Sequence, residues 1–314
     1  MRSKDKSGVH GPLTHLLQRA LDQGDRRYVR LAGISVAHLY NLRGSKRYQD
    51  QRVQWQHTSS RRAVTIGIRR APRPDGQPGY IRIDSVHQGD QDGVKGVYHI
   101  NAVDCVTQWE LVACCEKISE AYLLPVIELL LASFPFQIKG FHSDNGSEYI
   151  NAQVAKVLNK LCIEMTKSRP RHSNDNGLVE TKNGAVIRKI IGYSHIPQHY
   201  AGKINVFYQK HLNPYLNFHR PCLFAEEDVD VKGKVKKRYR QKDVMTPLEK
   251  LASLASTESA GQIQENRYLK PGITLAALQK EAASISDNEA AARWQKARKA
   301  LFQSIHARSK KIAA

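Results

Sequence analysis

Three carboxylates stand out by type and setting: Asp84 in YIRIDSVHQGD, Asp144 in FHSDNGSEYI, and Glu180 behind the run NDNGLVE. Thirty-five residues lie between Asp144 and Glu180. Carboxylates brought from distant elements are what hard divalent cations need, because Mg²⁺ takes oxygen ligands, keeps several waters, and lets substrate phosphates complete its shell. The set therefore predicts a site for a pair of divalent metals. Asp104, in NAVDCVTQW, is the rival for the first position, while Glu148 and Glu164 read as surface or capping residues.

The elements that must position these groups follow from periodicity. YIRIDSV alternates as a strand with Asp84 inside it, and a carboxylate in mid-strand is costly unless it is paired or binds metal. GVYHINAVDCVTQWELVACCEK predicts two more strands meeting at a turn near Thr107 and Gln108. SEAYLLPVIELLLASF has helical spacing, QIKGFHS reads as a strand, YINAQVAKVLNKLCI as an amphipathic helix, and IEMTKS as a short strand before the helix of Glu180. Three antiparallel strands followed by alternating helix and strand predict an α/β fold: a mixed five-stranded sheet flanked by helices, with the first strand central. Asp144 then lies at the carboxyl end of the fourth strand, where ligands of open α/β sheets gather. His87 and His142 fall beside the two aspartates, with ordinary hydrogen bonding the expected role.

Charge points to the partner. The 314 residues carry 49 lysines and arginines against 29 acidic residues, a net charge of +20. Such an excess favours a polyanion, and nucleic acid before a membrane surface. No run of eighteen apolar residues occurs and MRSKDKSGVHG lacks an apolar signal core, so a soluble intracellular protein is expected. The five cysteines include no CxxC pair and read as reduced core residues.

The cations cluster in four places. In residues 1–55, RYVRLAGISVAHLYNLR predicts a helix, a turn at Gly33 and a second helix capped by Ser35, a helix-turn-helix pattern. His38, Tyr40, Asn41 and Arg43 would face the groove of DNA, with Val36, Leu39 and Leu42 packed inward. Residues 56–79 read as a basic linker with a brief β-like piece at AVTIGI. The loop KSRPRHSNDNG places Lys167, Arg169, Arg171 and His172 before the Glu180 helix as expected phosphate contacts. On that helix Asn183, Gly184 and Ile187 share the face of Glu180 and Lys182 points away; Arg188 and Lys189 are further candidate DNA contacts. Residues 221–314 begin with a hairpin turning near Lys232 and Gly233, whose second strand carries Lys236, Lys237 and Arg238, and end in a helical, basic tail.

DSVH, HSDNGSEY and NDNGLVETKNGAVIRK resemble the catalytic core of the DDE integrase and transposase superfamily, the retroviral-integrase-like group with an RNase H-like fold, and bacterial insertion-sequence transposases in particular. The resemblance covers residues 80 to about 220, down to YLNFHRPC, which is similar to the asparagine, arginine and proline signature closing such cores. It implies two Mg²⁺ or Mn²⁺ ions with Asp84 bridging both, Asp144 holding one and Glu180 the other. It also implies double-stranded DNA as partner, both element ends and target; hydrolysis that frees a 3′ hydroxyl; strand transfer of that hydroxyl; and homo-oligomers on DNA in a bacterial cytoplasm. Retroviral integrases carry lysines one and two turns beyond the glutamate, where this chain has Gly184 and Ile187. The N-terminal part is shorter than such transposases commonly carry and reads as a truncated copy. Two other readings stay open: a catalytically silent, transposase-derived DNA-binding protein, and a nuclease of the same fold that cleaves without joining.

Overall fold

The computed structural model describes residues 35–51, 66–144, 149, 151–229, 235–256 and 267–312. The chain divides into two compact units, Met1–Arg62 and Ala63–Ala314. In the first, Ser35 caps helix α1 (Val36–Gly44), its Oγ accepting the amide of His38 at 3.2 Å, and α2 (Lys46–Gln51) follows directly. The second helix of the expected pair is thus present with its cap. The helix and turn expected ahead of it lie outside the described residues. Leu42, expected to pack inward, is exposed.

The second unit is built on a six-stranded mixed sheet. Its strands are β1 (Ile68–Arg69), β2 (Tyr80–His87), β5 (Tyr98–Asp104), β6 (Glu110–Cys115), β7 (Gly140–Ser143) and β8 (Glu164–Lys167); β3 (Asp90–Gln91) and β4 (Val94–Lys95) form a separate ribbon. The order across the sheet is β1-β8-β7-β2-β5-β6, with β5 antiparallel to β2 and β6, and β7, β8 and β1 parallel to one another and to β2. The five expected strands are therefore present in one mixed sheet, with the first of them, β2, in its interior. The sixth strand corrects the expected count: Ile68, the last residue of the β-like piece AVTIGI, and Arg69 pair with Thr166 and Lys167.

Alternation in the strands sends side chains into two cores. Ile81, Ile83, Ile100, Ala102, Leu111 and Phe141 face helices α3 (Glu120–Ser133) and α4 (Ala152–Lys160). Val86, Val112 and Cys114 face the opposite layer: the helix that begins as α5 (Gly177–Lys182) and continues through a π-helical stretch (Asn183–Arg188), and α6 (Ala201–Phe207), likewise extended by π turns. Burial of Val179, Lys182, Asn183, Val186, Ile187, Ile190 and Ile191 marks one continuous inward face on the first of these helices.

The outer edge of β6 is covered by side chains. Asn205, Asn213 and Asn217 each accept the backbone N–H and donate to the C=O of Cys114, Val112 and Glu110 respectively, at 2.7–3.1 Å. Four helical residues advance about 6 Å and two strand residues about 6.7 Å, so Asn213 and Asn217 can meet alternate residues of the strand. The asparagines stand in for a seventh strand and close an edge that would otherwise be left unpaired. Asn217 is the asparagine of the YLNFHRPC signature.

The C-terminal segment extends the same body. β9 (Cys222–Val229) and β10 (Val235–Met245) form the expected hairpin, its turn lying outside the described residues. Helices α7 (Pro247–Ser256), α8 (Leu275–Ala282) and α9 (Asp287–Ile312) follow, and α9 buries Leu301 and Ile305 in the second core. Cysteines 114, 115 and 222 are buried free thiols, as expected, while Cys162 is exposed.

Candidate active site

The register of β2 against β7 sets the first two carboxylates. Ile83 lies opposite Ser143 in this parallel pair, so Asp84 and Asp144 occupy the next position at the same height, Asp144 just past the end of its strand. The start of β2 is fixed by Gly79, whose φ of +107° and close approach to Gln137 O leave no room for a Cβ. Its N–H donates to Asp104 Oδ1 at 2.7 Å. Asp104 is fully buried and also accepts from Val106 N, Thr107 N and Thr107 Oγ1 at 2.8–3.1 Å. The rival carboxylate is thus a turn clasp.

Asp84 has a different environment. Its Oδ1 accepts the Ser85 amide at 2.8 Å and its Oδ2 accepts Asn183 Nδ2 at 2.7 Å. Its carboxyl is pushed up to about 6, chiefly by burial and in part by the like charges of Glu180 and Asp144, against the opposing pull of those two donors. The structure brings the three sequence-predicted carboxylates together at one end of the sheet, with Asp144 and Glu180 exposed. Among the described residues, no three His, Cys, Asp or Glu side chains are already assembled at ligating spacing. The donor set nevertheless suits a hard divalent cation: all-oxygen, and accumulating negative charge that a cation relieves.

The NDN run before Glu180 has structural work. Asp175, almost fully buried, accepts from the backbone N–H of Arg169 at 3.0 Å and from its guanidinium at 2.9 and 2.8 Å, which holds its carboxyl far below the usual range. Asn176 Nδ2 reaches Ile83 O at 3.4 Å, tying the start of α5 to the strand just before Asp84. Asn183, expected on the face of Glu180, donates to Asp84, and Lys182, expected to point away from that face, turns into the protein and pairs with Glu110 at 3.5 Å. Sequence reasoning missed Glu110 and Asn101; the period of two that puts Glu110 on the face of Val112, and Asn101 on the face opposite Ile100, was the available signal.

The predicted basic contacts divide into two groups. Lys167 is a correction: it belongs to β8, is buried, and donates to Ile66 O at 2.7 Å, so it is no part of an exposed loop. Arg169 is engaged by Asp175. Arg188 donates to His87 O at 3.0 Å and lies 5.0 Å from the Tyr193 ring. Arg171, with φ 63°, His172 and Lys189 are exposed. On the hairpin Lys236, Lys237 and Arg238 are exposed opposite an acidic strand, with Arg238 bridged to Asp228 at 3.1 Å. In the first unit His38, Tyr40, Asn41 and Arg43 are exposed on α1, Arg43 lying 5.9 Å from the Tyr40 ring. His87 stacks on Tyr98 at 4.4 Å, and His142 is buried with Nδ1 2.9 Å from Thr166 Oγ1, its pKa lowered to about 4 by burial.

No protein-family model matches the chain. It is 27% identical over 166 residues to "Uncharacterized protein y4rM" of Sinorhizobium fredii (strain NBRC 101917 / NGR234), a match covering 52% of this chain and 47% of that protein, so the chain spans about half the length of this relative. Among solved structures it is similar to the catalytic core domain of BIV integrase, at 14% identity and a TM-score of 0.36 over 58% of this chain and 99% of that one. Among the described residues no helix is long and apolar enough to cross a membrane.

Proposed function

We propose that this chain is a DDE-type polynucleotidyl transferase, a transposase or integrase that cleaves DNA and joins the freed 3′ hydroxyl to a target strand. The observation that carries the reading is the convergence of Asp84 on β2, Asp144 just past the end of the parallel strand β7, and Glu180 on α5, in a chain of net charge +20. Asp84, Asp144 and Glu180 would hold Mg²⁺ or Mn²⁺. Such ions supply an activated nucleophile and stabilise the departing oxygen of an in-line displacement.

The chain's own groups do the rest. Asp84 is oriented by the Ser85 amide and Asn183, and Glu180 is presented from the first turn of a helix tied to β2 through Asn176. Arg171, His172 and Lys189 are the exposed basic side chains nearest Glu180 in the chain, and phosphate contact falls to them before Arg169 or Arg188, whose guanidiniums are engaged internally. The α1 face and the hairpin cations would add sequence-independent or groove contacts to double-stranded DNA, with paired copies of the chain acting on paired ends.

A strand-transfer assay with Mn²⁺ and the element's terminal DNA tests this. Glu180→Gln removes one ligand charge at nearly constant shape and is expected to lower joining by at least about 100-fold while DNA binding persists. Wild-type cleavage without joining would point to a nuclease, and binding with neither activity to a silent DNA-binding protein.

A further inference from the structure

A buried polar relay leads from Asp84 into the second core. Asn183, one turn after Glu180, donates to Asp84 at 2.7 Å; its Oδ1 accepts Asn101 Nδ2 at 3.0 Å, and Asn101 Nδ2 also lies 3.2 Å from Glu110 Oε1. Glu110 is 1% exposed, and its other oxygen lies 3.5 Å from the ammonium of Lys182, itself nearly buried. Lys182 also donates to Cys222 Sγ at 3.2 Å. Glu110 is fixed from behind as well, since Asn217 holds both of its backbone groups. Adjacent helical residues, Lys182 and Asn183, thus grip one rigid strand residue, Lys182 directly and Asn183 through Asn101.

We propose that Glu110 and Lys182 are positioning residues that set the rotation of the Glu180 helix and, through Asn101 and Asn183, hold the Asp84 carboxylate in its metal-binding orientation. The inference rests on the polynucleotidyl transferase reading and extends it to two buried residues outside the proposed ligand set. A buried ion pair is poor evidence for stability alone, because an apolar pair of similar size often serves as well or better. A pair that also terminates a hydrogen-bond relay at a ligand has a second use, since outer partners orient the groups that bind the metal.

Two double variants separate positioning from stability. Lys182→Met alone leaves the Glu110 charge buried with Arg220 as its remaining cationic neighbour and is expected to lower Tm by about 10 °C. Glu110→Leu with Lys182→Met removes both charges, and Tm recovers. The relay then has lost its anchor, so Mn²⁺ affinity measured by calorimetry without DNA falls at least about 10-fold and the joining rate falls about 10- to 100-fold. Glu110→Gln with Lys182→Met keeps an oxygen for Asn101 and is expected to regain most of both. Equal Mn²⁺ affinity in the Leu/Met and Gln/Met proteins would overturn the proposal. A third readout, protection of the Asn183 side-chain amide in isotope-labelled protein, is independent of chemistry: it is expected in the wild type and Gln/Met variant and lost in Leu/Met. A wild type with that protection but no Mn²⁺ binding or joining would refute the functional reading and leave the relay standing; absence of the protection from the wild type refutes the relay.

Discussion

At the scale of single residues, Asp84 and Asp104 illustrate how one side-chain type serves opposite ends. Asp104 is surrounded by four donors and closes a turn. Asp84 has two donors and two like charges nearby, and its carboxyl stands at about 6 instead of 3.8. A carboxyl raised in the fold binds its proton more tightly there than in the unfolded chain. Asp84 therefore costs nothing below about pH 4, and its penalty grows to full size as pH rises through about 6. In metal-free buffer, Asp84→Asn is expected to raise Tm relative to the wild type above pH 6, with the gain vanishing toward pH 4. Thermal melts across that range with a chelator present check this; a gain independent of pH would show that the aspartate's charge is not what strains the fold.

Among elements, the helix from Ala201 to His219 does the least expected work, because its asparagines replace a missing strand along β6. Asn217 is 2% exposed, so Asn217→Ala leaves the N–H and C=O of Glu110 without partners or water. The expected cost is about 2–3 kcal/mol. Asn205 is only part-buried, water can replace its amide, and Asn205→Ala should cost under about 1 kcal/mol. Urea midpoints at unchanged m-value measure both, and equal losses would rule out exposure as the deciding factor. The helix of Glu180 shows a related economy: its π-helical stretch follows directly on Lys182, and its inward face carries both the relay and the apolar residues of the second core.

For the whole molecule, one sheet separates two cores, and the C-terminal helix belongs to the core that also holds the Glu180 helix. Leu301 and Ile305 pack in the same cluster as Val186, Ile187 and Ile190, and Arg298 Nε donates to Ile190 O. The tail is part of the fold's support. Leu301→Ala is expected to cost about 2–4 kcal/mol in chemical denaturation and to do so in a single transition, since both cores share the strands of one sheet. A separate early transition for residues 287–312 would instead mark the tail as an independently melting appendage.

Much of this architecture was legible from the chain itself. Alternation in YIRIDSV, the apolar runs around residues 123–131 and 154–158, and the Ser35 and hairpin signals are local patterns, and local patterns set strand, helix and turn. The spacing and sequence context of Asp84, Asp144 and Glu180 likewise survive without coordinates. Tertiary structure alone decided which aspartate faces its fellows, because register between β2 and β7 depends on pairing between segments far apart in sequence. It buried Lys167 by pairing β1 onto β8, turned Lys182 inward toward Glu110, and spent Arg169 and Arg188 on internal contacts. Charge is a property of composition, but whether a cation meets solvent or a buried carboxylate depends on what folding places opposite it.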